Sequence, residues 1–410
     1  MVPTTPRRPV EVTVDPAAEG AVEGAVEAAV RTSVPAAVGG SAPPTGPTPP
    51  GEPETAAPPG PSALEPVSGR RAAIVLAGLA VGLVVVCLVA VARGAFPLTI
   101  GEVVATLADR VGIRVGTLPD ELAQSVLWDI RVPRVLLGVL IGVALGVAGA
   151  LMQGTFANPL AEPGIVGVSS GAALGAVLAI VVGFTAFGTW SISSAAFLGG
   201  LAAVVLVYAS ARSGGRTEVV TLVLTGVALN AMTGALIGMI SYFSTDAELR
   251  SITFWLLGSL AQATWPKVAV VAPMVVLATA VAWTQARRLD VLALGEAPAR
   301  HLGVDVERLR MLAMVCVAVL TASAVAFAGI ITFVGLVIPH LVRMLVGPGH
   351  TKLLPASMLA GALIVVLGDL IARTAAAPAE IPLGTLTALV GSPVFFVLLR
   401  RTRRQQGGWA

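Results

Sequence analysis

Acidic residues are scarce in the long apolar runs of this sequence, and Asp369 is the one placed to carry a proton or a cation through them. Arg373 follows four residues later, on the same face of any helix that holds both. An intrahelical ion pair is therefore favoured over a proton relay. The only lysines are Lys267, after Pro266, and Lys352, after Thr351. A phosphate-cradling loop needs glycines followed by Gly-Lys-Ser or Gly-Lys-Thr, so any ATP hydrolysis must come from another chain. His301, His340 and His350 fall in segments expected near the cytoplasmic face. No cluster of cysteine, histidine and carboxylate has metal-ligand spacing, and no nucleophile–base arrangement stands out. Cys87 and Cys316 lie inside apolar runs and read as buried free thiols more readily than as a distant disulfide. The expectation is a chain with no catalytic residue, no metal and no cofactor of its own.

Long apolar segments must position these residues. Hydrophobic residues make up 56% of the 410 and charged residues 12%, with a mean hydropathy of +0.88. Soluble domains carry roughly 25% charged residues, so the bilayer is the natural solvent for this chain. Apolar stretches near spanning length fall at 72–92, 135–153, 165–186, 193–211, 219–243, 266–283, 309–327, 331–346, 354–372 and 383–399. The run from 309 to 346 is too long for one span at about 1.5 Å per residue, and Ala328-Gly329 is its plausible turn. Glycine and alanine pervade these stretches, as expected where helices pack closely without a hydrophobic drive between them. The fold class is an all-α polytopic membrane protein with about ten transmembrane helices.

Arginine placement sets the orientation. With the amino terminus inside, roughly fifteen basic residues fall on the cytoplasmic side and roughly eight outside, the direction of the positive-inside rule. An even number of spans puts both termini in the cytoplasm. Residues 1–67 are proline-rich and acidic, carrying about −5 against about +8 for the remainder, and read as a disordered cytoplasmic extension. No charged stretch followed by an apolar core and cleavage site occurs near Met1, so a cleaved signal peptide is not expected. Residues 68–400 form the membrane domain and 401–410 a basic cytoplasmic tail.

From Arg131 the chain reads RVPRVLLGVLIGVALGVAGALMQGTFANPLAEPGIVGVSSGAALGAVLA. LALGEAPARHLGV follows at Leu292, GIITFVGLVIPHLVR at Gly329, and LGDLIART…EIPLGTLTALVGSPVFFVLL from Leu367. These runs closely resemble the iron-chelate, haem and cobalamin permease family (FecCD type) of ATP-binding-cassette importers, in order from about residue 70 to about residue 400. The resemblance implies a type II importer permease fold and a second permease copy, forming a homodimer or heterodimer. It also implies two separate ATPase subunits, which bind ATP and magnesium, and an extracytoplasmic binding protein. Membrane lipid is the remaining partner, and no nucleic acid is expected. The cargo would be an iron chelate, haem first and ferric siderophore close behind, with cobalamin as the alternative. An ion-coupled secondary carrier is the less favoured class.

The resemblance also assigns roles to residues. Arg131, Arg134 and Arg373, expected as exposed cations at external helix ends, would dock acidic residues of the binding protein; lipid anchoring is the other reading. The polar segment 287–310, divided by Gly295 and Gly303 into two short helices, would couple to the ATPase through Leu294, Gly295, Glu296, Ala299, Arg300, Leu302 and Gly303. Ala299 would be small to admit the partner. Pathway residues would include Asn230 and Thr233 on the fifth span, although bonding between neighbouring helices is an equal reading. Ser241, Tyr242 and Trp255 would lie toward the external gate, and Val219 and Val220 at the inner one.

Overall fold

Gly69–Ala92 forms the first helix, α1, an uninterrupted apolar run without acidic residues. The computed structural model describes residues 69–94, 96 and 98–405; the proline-rich segment 1–67 and the end of the basic tail lie outside the described residues. A short amphipathic helix, α2 (Ile100–Arg110), follows. Its start is fixed by Thr99 and Glu102, whose side chains each take the other's backbone N–H in a capping box. α3 (Glu121–Thr155) is continuous over 35 residues, with a π-helical turn at Val126–Arg131 before the apolar stretch. A 3-10 turn at Pro163–Val166 leads into α4 (Val168–Val181), and α5 (Ser191–Ser210) ends at a two-stranded hairpin, Arg212–Ser213 with Arg216–Thr217.

The later elements are α6 (Val219–Phe243), α7 (Asp246–Leu257), α8 (Trp265–Thr284), α9 (Ala286–Leu292), α10 (Glu296–His301), α11 (Val306–Ala328), α12 (Val334–Val346), α13 (His350–Thr374) and α14 (Leu383–Gln405). Seven described helices are long and apolar enough to cross a membrane: α1, α3, α5 with its leading turn, α6, α8, α11 and α13. Three shorter apolar helices, α4, α12 and α14, fall on the other three apolar stretches of the sequence. The turn expected at Ala328-Gly329 is present: α11 stops at Ala328, and Gly329 takes φ 70°, beyond the reach of most L residues.

Burial ranks these helices. The apolar windows of α3 and α11 are 78% and 72% buried and that of α1 only 11%, so α3 and α11 form the centre and α1 faces lipid. α3 and α13 approach to backbone distance. A Cβ at Gly142 would run into Gly361, and one at Gly146 into the carbonyl of Ser357. Small residues at these four-residue intervals allow the close packing by which helices associate in lipid.

Two expected spans are only half-length. α4 has 14 residues and α12 has 13, about 20 Å each against a hydrocarbon core of roughly 30 Å. The chain between α3 and α4 turns back into the bundle, where the carbonyl of Ile165 abuts Gly226 of α6 and Pro163 abuts Gly335 of α12. Both half-helices therefore begin inside the bundle. Irregular backbone at that depth is tolerated because protein surrounds it.

Candidate functional site

Arg131 sits at the end of the π turn. Its guanidinium donates to the carbonyls of Val91 at 3.0 Å and Ala92 at 2.8 Å, and also to that of Phe96. The first two are end-of-helix carbonyls that α1 itself cannot satisfy. Arg134, one turn on, donates to Asp369 of α13 through Nε at 3.1 Å and Nη2 at 2.9 Å, and to both oxygens of Glu380 at 2.9 Å. Arg373 donates to the carbonyl of Ala90, and its Nε lies 3.6 Å from Asp369. The expected exposed cations are thus buried: Arg131 is 4% and Arg134 8% exposed, and the Arg373 side chain is equally enclosed. Apolar surroundings force each charge onto a partner. The expected Asp369–Arg373 pair exists but is the looser one; Arg134 is the close partner of Asp369.

Glu380 lies in the connection between α13 and α14 and was not singled out by sequence. The Arg134 hydrogen bonds, with the charges of Arg134 and Arg373, hold its carboxyl below the usual carboxylate value of 4.5. Beside this cluster a groove of about 470 Å³ opens between Arg93, Gly94, Leu370, Arg373, Thr374 and Ala377. Arg93 there is exposed.

The two short helices expected in segment 287–310 are α9 and α10, with Gly295 at φ 109° and Gly303 at φ 81°. Ala299 corrects the expectation: it is fully buried against this chain's own core, so its small size serves internal packing. Leu294 and Leu302 are instead exposed, at 66% and 65%. Glu296 pairs with Arg300 at 3.2 Å and with the buried Arg310 of α11. Glu307, 3.7 Å from Arg310, accepts the backbone N–H of Thr217 at 3.0 Å. A chain of charges and hydrogen bonds therefore runs from α10 through α11 to Thr217, in the hairpin that precedes α6. Across the loop, Asp290 of α9 accepts the backbone N–H of His350 at 2.7 Å, and its carboxylate lies 2.7 Å from His350 Nδ1, tying α9 to α13.

Along α6, Val219 is half-buried and Val220 exposed at its start. Asn230 is half-buried and donates to the carbonyl of Gly164 at 3.2 Å, bridging to the turn before α4. Thr233 is buried and bonded within its own helix, to the Leu229 carbonyl at 2.8 Å, which places it in packing rather than on an open wall. Ser241 is half-buried and Tyr242 exposed, with Tyr242 edge-on to Phe243 at 5.1 Å. The short helix expected around Trp255 is α7, opened by a Thr245–Glu248 capping box. Trp255 itself packs on the small cluster of Ala172, Ala176 and Val325.

A bundle of long apolar helices with two half-length helices, a buried arginine–carboxylate cluster at one end and a paired-helix loop at the other, is a multi-pass membrane protein. Comparison with known proteins agrees. The model of the FecCD transport family matches residues 82–401. The hemin transport system permease protein HmuU of Yersinia pestis is 40% identical over 299 residues, 71% of this chain and 89% of that protein. The cobalamin import system permease BtuC of Halobacterium salinarum is 44% identical over 280 residues, 68% and 74% of the two chains. The molybdate import system permease MolB of Haemophilus influenzae is 36% identical over 334 residues, 80% and 96%. A solved inward-facing structure of a metal-chelate type ABC transporter matches with TM-score 0.71 and 36% identity, covering 80% of this chain and 99% of that one.

The chain belongs to the FecCD transport family. It is an integral multi-pass protein of the cytoplasmic membrane with the type II importer permease fold. As the permease subunit of an ABC importer it works with ATPase subunits and a binding protein, and ATP hydrolysis lies on those separate subunits.

Proposed function

We propose that this chain is the gate of an importer for an iron-containing chelate, with haem the favoured cargo, ferric siderophore next and cobalamin the alternative. The motif NPLAEPGIVGVSSGAALG and the hemin permease relative support haem, while the cobalamin relatives support the alternative equally. The complex would contain two permease copies, two ATPase subunits and one binding protein. Exposed apolar faces on α6 (Leu224, Val227, Met232) and α14 (Leu389, Val390, Phe396) support a second copy packed there.

Alternating access would follow from ATP binding on the partners. Closure of the ATPase pair pushes α9 and α10, the Glu296–Arg310–Glu307–Thr217 chain passes that movement to α6, and the pathway changes its opening. The observation carrying this reading is the pair of exposed leucines, Leu294 and Leu302, at the two ends of α10. Apolar side chains presented from a rigid turn are what a partner groove buries. At the outer face, Arg93 at the open groove would make the encounter with acidic residues of the binding protein, while the buried Arg131, Arg134 and Arg373, already paired within this chain, hold that rim in place.

The test is ATP-driven uptake by the reconstituted complex, compared for haem, a ferric hydroxamate and cobalamin. Haem uptake requiring both the ATPases and the binding protein supports the proposal. Uptake by the permease alone against a gradient would overturn it.

A further inference from the structure

The first turn of α13 is capped from another helix. Its first residue, His350, follows Gly349, which has no side chain to act as a cap. Asp290 of α9 takes that role from 60 residues away: Oδ1 accepts the backbone N–H of His350 at 2.7 Å and lies 2.7 Å from Nδ1 of its ring. A carboxylate only accepts, so Nδ1 carries the ring proton. The helix dipole favours a negative charge at this end.

The ring is enclosed, its side chain 2% exposed, and Nε2 has no hydrogen-bond partner among the described residues. It lies against Gly154 in the last turn of α3, where an added Cβ would run into Nε2. His350 thus joins three helices: α9 of the paired-helix loop, α13 and α3.

From this point α3 and α13 run antiparallel in one unbroken register. Gly154 meets His350, Gly146 meets Ser357, Gly142 meets Gly361, and Arg134 meets Asp369. His350 and Asp369 stand about 28 Å apart along the helix at 1.5 Å per residue. At the two middle contacts backbone touches backbone, so no side-chain rotamer lies between the helices to absorb a displacement. Pro355 removes one backbone hydrogen bond in the second turn of α13, yet the helix is continuous and the register holds on both sides of it. The two helices form a strut. Asp290 ties one end to the loop, and the other end carries Arg134, Asp369 and Arg373.

We propose that Asp290 and His350 are positioning residues that deliver movement of the α9–α10 loop to α3 and α13, and so to the arginine–carboxylate cluster at the far end. This route is separate from the one through Glu296, Arg310 and Glu307 to Thr217. It rests on the reading above that ATPase closure pushes α9 and α10.

The two ring nitrogens separate this role from packing. His350→Asn places an amide N–H where Nδ1–H stands; His350→Gln places one toward Nε2 and leaves Asp290 without its ring donor. Hydrogen exchange is followed in the full-length permease assembled with its ATPase subunits in lipid nanodiscs, with and without a saturating non-hydrolysable ATP analogue. In wild type the analogue should change exchange by at least about fivefold, the lower end of coupling between linked sites, at two places. These are the connection 375–382 between α13 and α14 and the hairpin 212–217.

His350→Gln and Asp290→Ala should lose the change at 375–382 and keep it at the hairpin, while His350→Asn should keep both. The retained hairpin response shows an assembled complex, so the loss is not misfolding. An undiminished response at 375–382 in either His350→Gln or Asp290→Ala overturns the proposal. So does loss at both places, which marks a structural role, or equal loss in His350→Asn and His350→Gln. A wild type responding at the hairpin alone overturns the strut and leaves the coupling reading standing; one responding at neither place sinks that reading too.

Discussion

Arg134 of α3 and Asp369 of α13 meet at 2.9 Å across 235 residues of chain, both almost fully buried. This pair fastens the two helices whose glycines already touch. Removing one member of a buried pair strands the other charge, at a cost of about 3–5 kcal/mol. Asp369→Asn should therefore lower thermal stability in detergent markedly, and Arg134→Ala more, since Glu380 is stranded too. The double variant Arg134→Ala with Asp369→Asn should lose less than the sum of the two single losses. Additive losses in that cycle would show that the pair is not coupled.

The α3–α13 contact depends on the absence of side chains. Gly142→Ala and Gly146→Ala must push the helices apart and should cost about 1–3 kcal/mol or more. Gly238→Ala on α6, where nothing lies within 4 Å, is the control and should be neutral or slightly stabilising. Unfolding midpoints of the three variants in one detergent decide the matter; similar values for all three would refute the close-packing account.

Acid should loosen the C-terminal end of α13. The Glu380 carboxyl is held below 4.5 by Arg134, so its contribution is fully present above the unfolded value and is lost as pH falls through the depressed one. Hydrogen exchange in the connection between α13 and α14, divided by the intrinsic rate at each pH, should stay constant from about pH 7 to about pH 5 and rise below about pH 4. Glu380→Gln should abolish that dependence. A rise already complete by pH 6 would point to another group.

Coupling should fail in two separable ways. Leu302→Lys replaces an exposed apolar contact at the C-cap of α10 with a charge that a helix C-terminus favours, so ATPase subunits should co-purify several-fold less. Gly295→Val strains a backbone at φ 109° and should reduce stimulation of ATP hydrolysis by loaded binding protein. Full stimulation in both variants would remove the coupling role from this loop.

Charge reversal at both Arg131 and Arg134 should abolish binding-protein-dependent uptake, but burial now predicts a stability loss as well. Arg93→Glu, at an exposed position, separates the two effects: it should slow association of the binding protein at low salt while leaving the unfolding midpoint unchanged. Unaltered association kinetics would exclude Arg93 from the encounter.

The sequence by itself determined the solvent of this protein, because hydropathy is additive along the chain and needs no contacts. It also placed the turn at Ala328-Gly329 and the two short helices divided by Gly295 and Gly303, where local backbone demands are written in residue type. Its four motif runs carried the family resemblance. Only the tertiary structure decided who pairs with whom. Arg134 with Asp369 and Glu380, Arg131 with the carbonyls of α1, and the inward-facing Ala299 all depend on helices brought together from distant parts of the chain. The depth of the turn Pro163–Val166 was invisible for the same reason. A polar segment between two apolar runs reads as a surface loop until packing folds it back inside, and local composition does not encode that reversal.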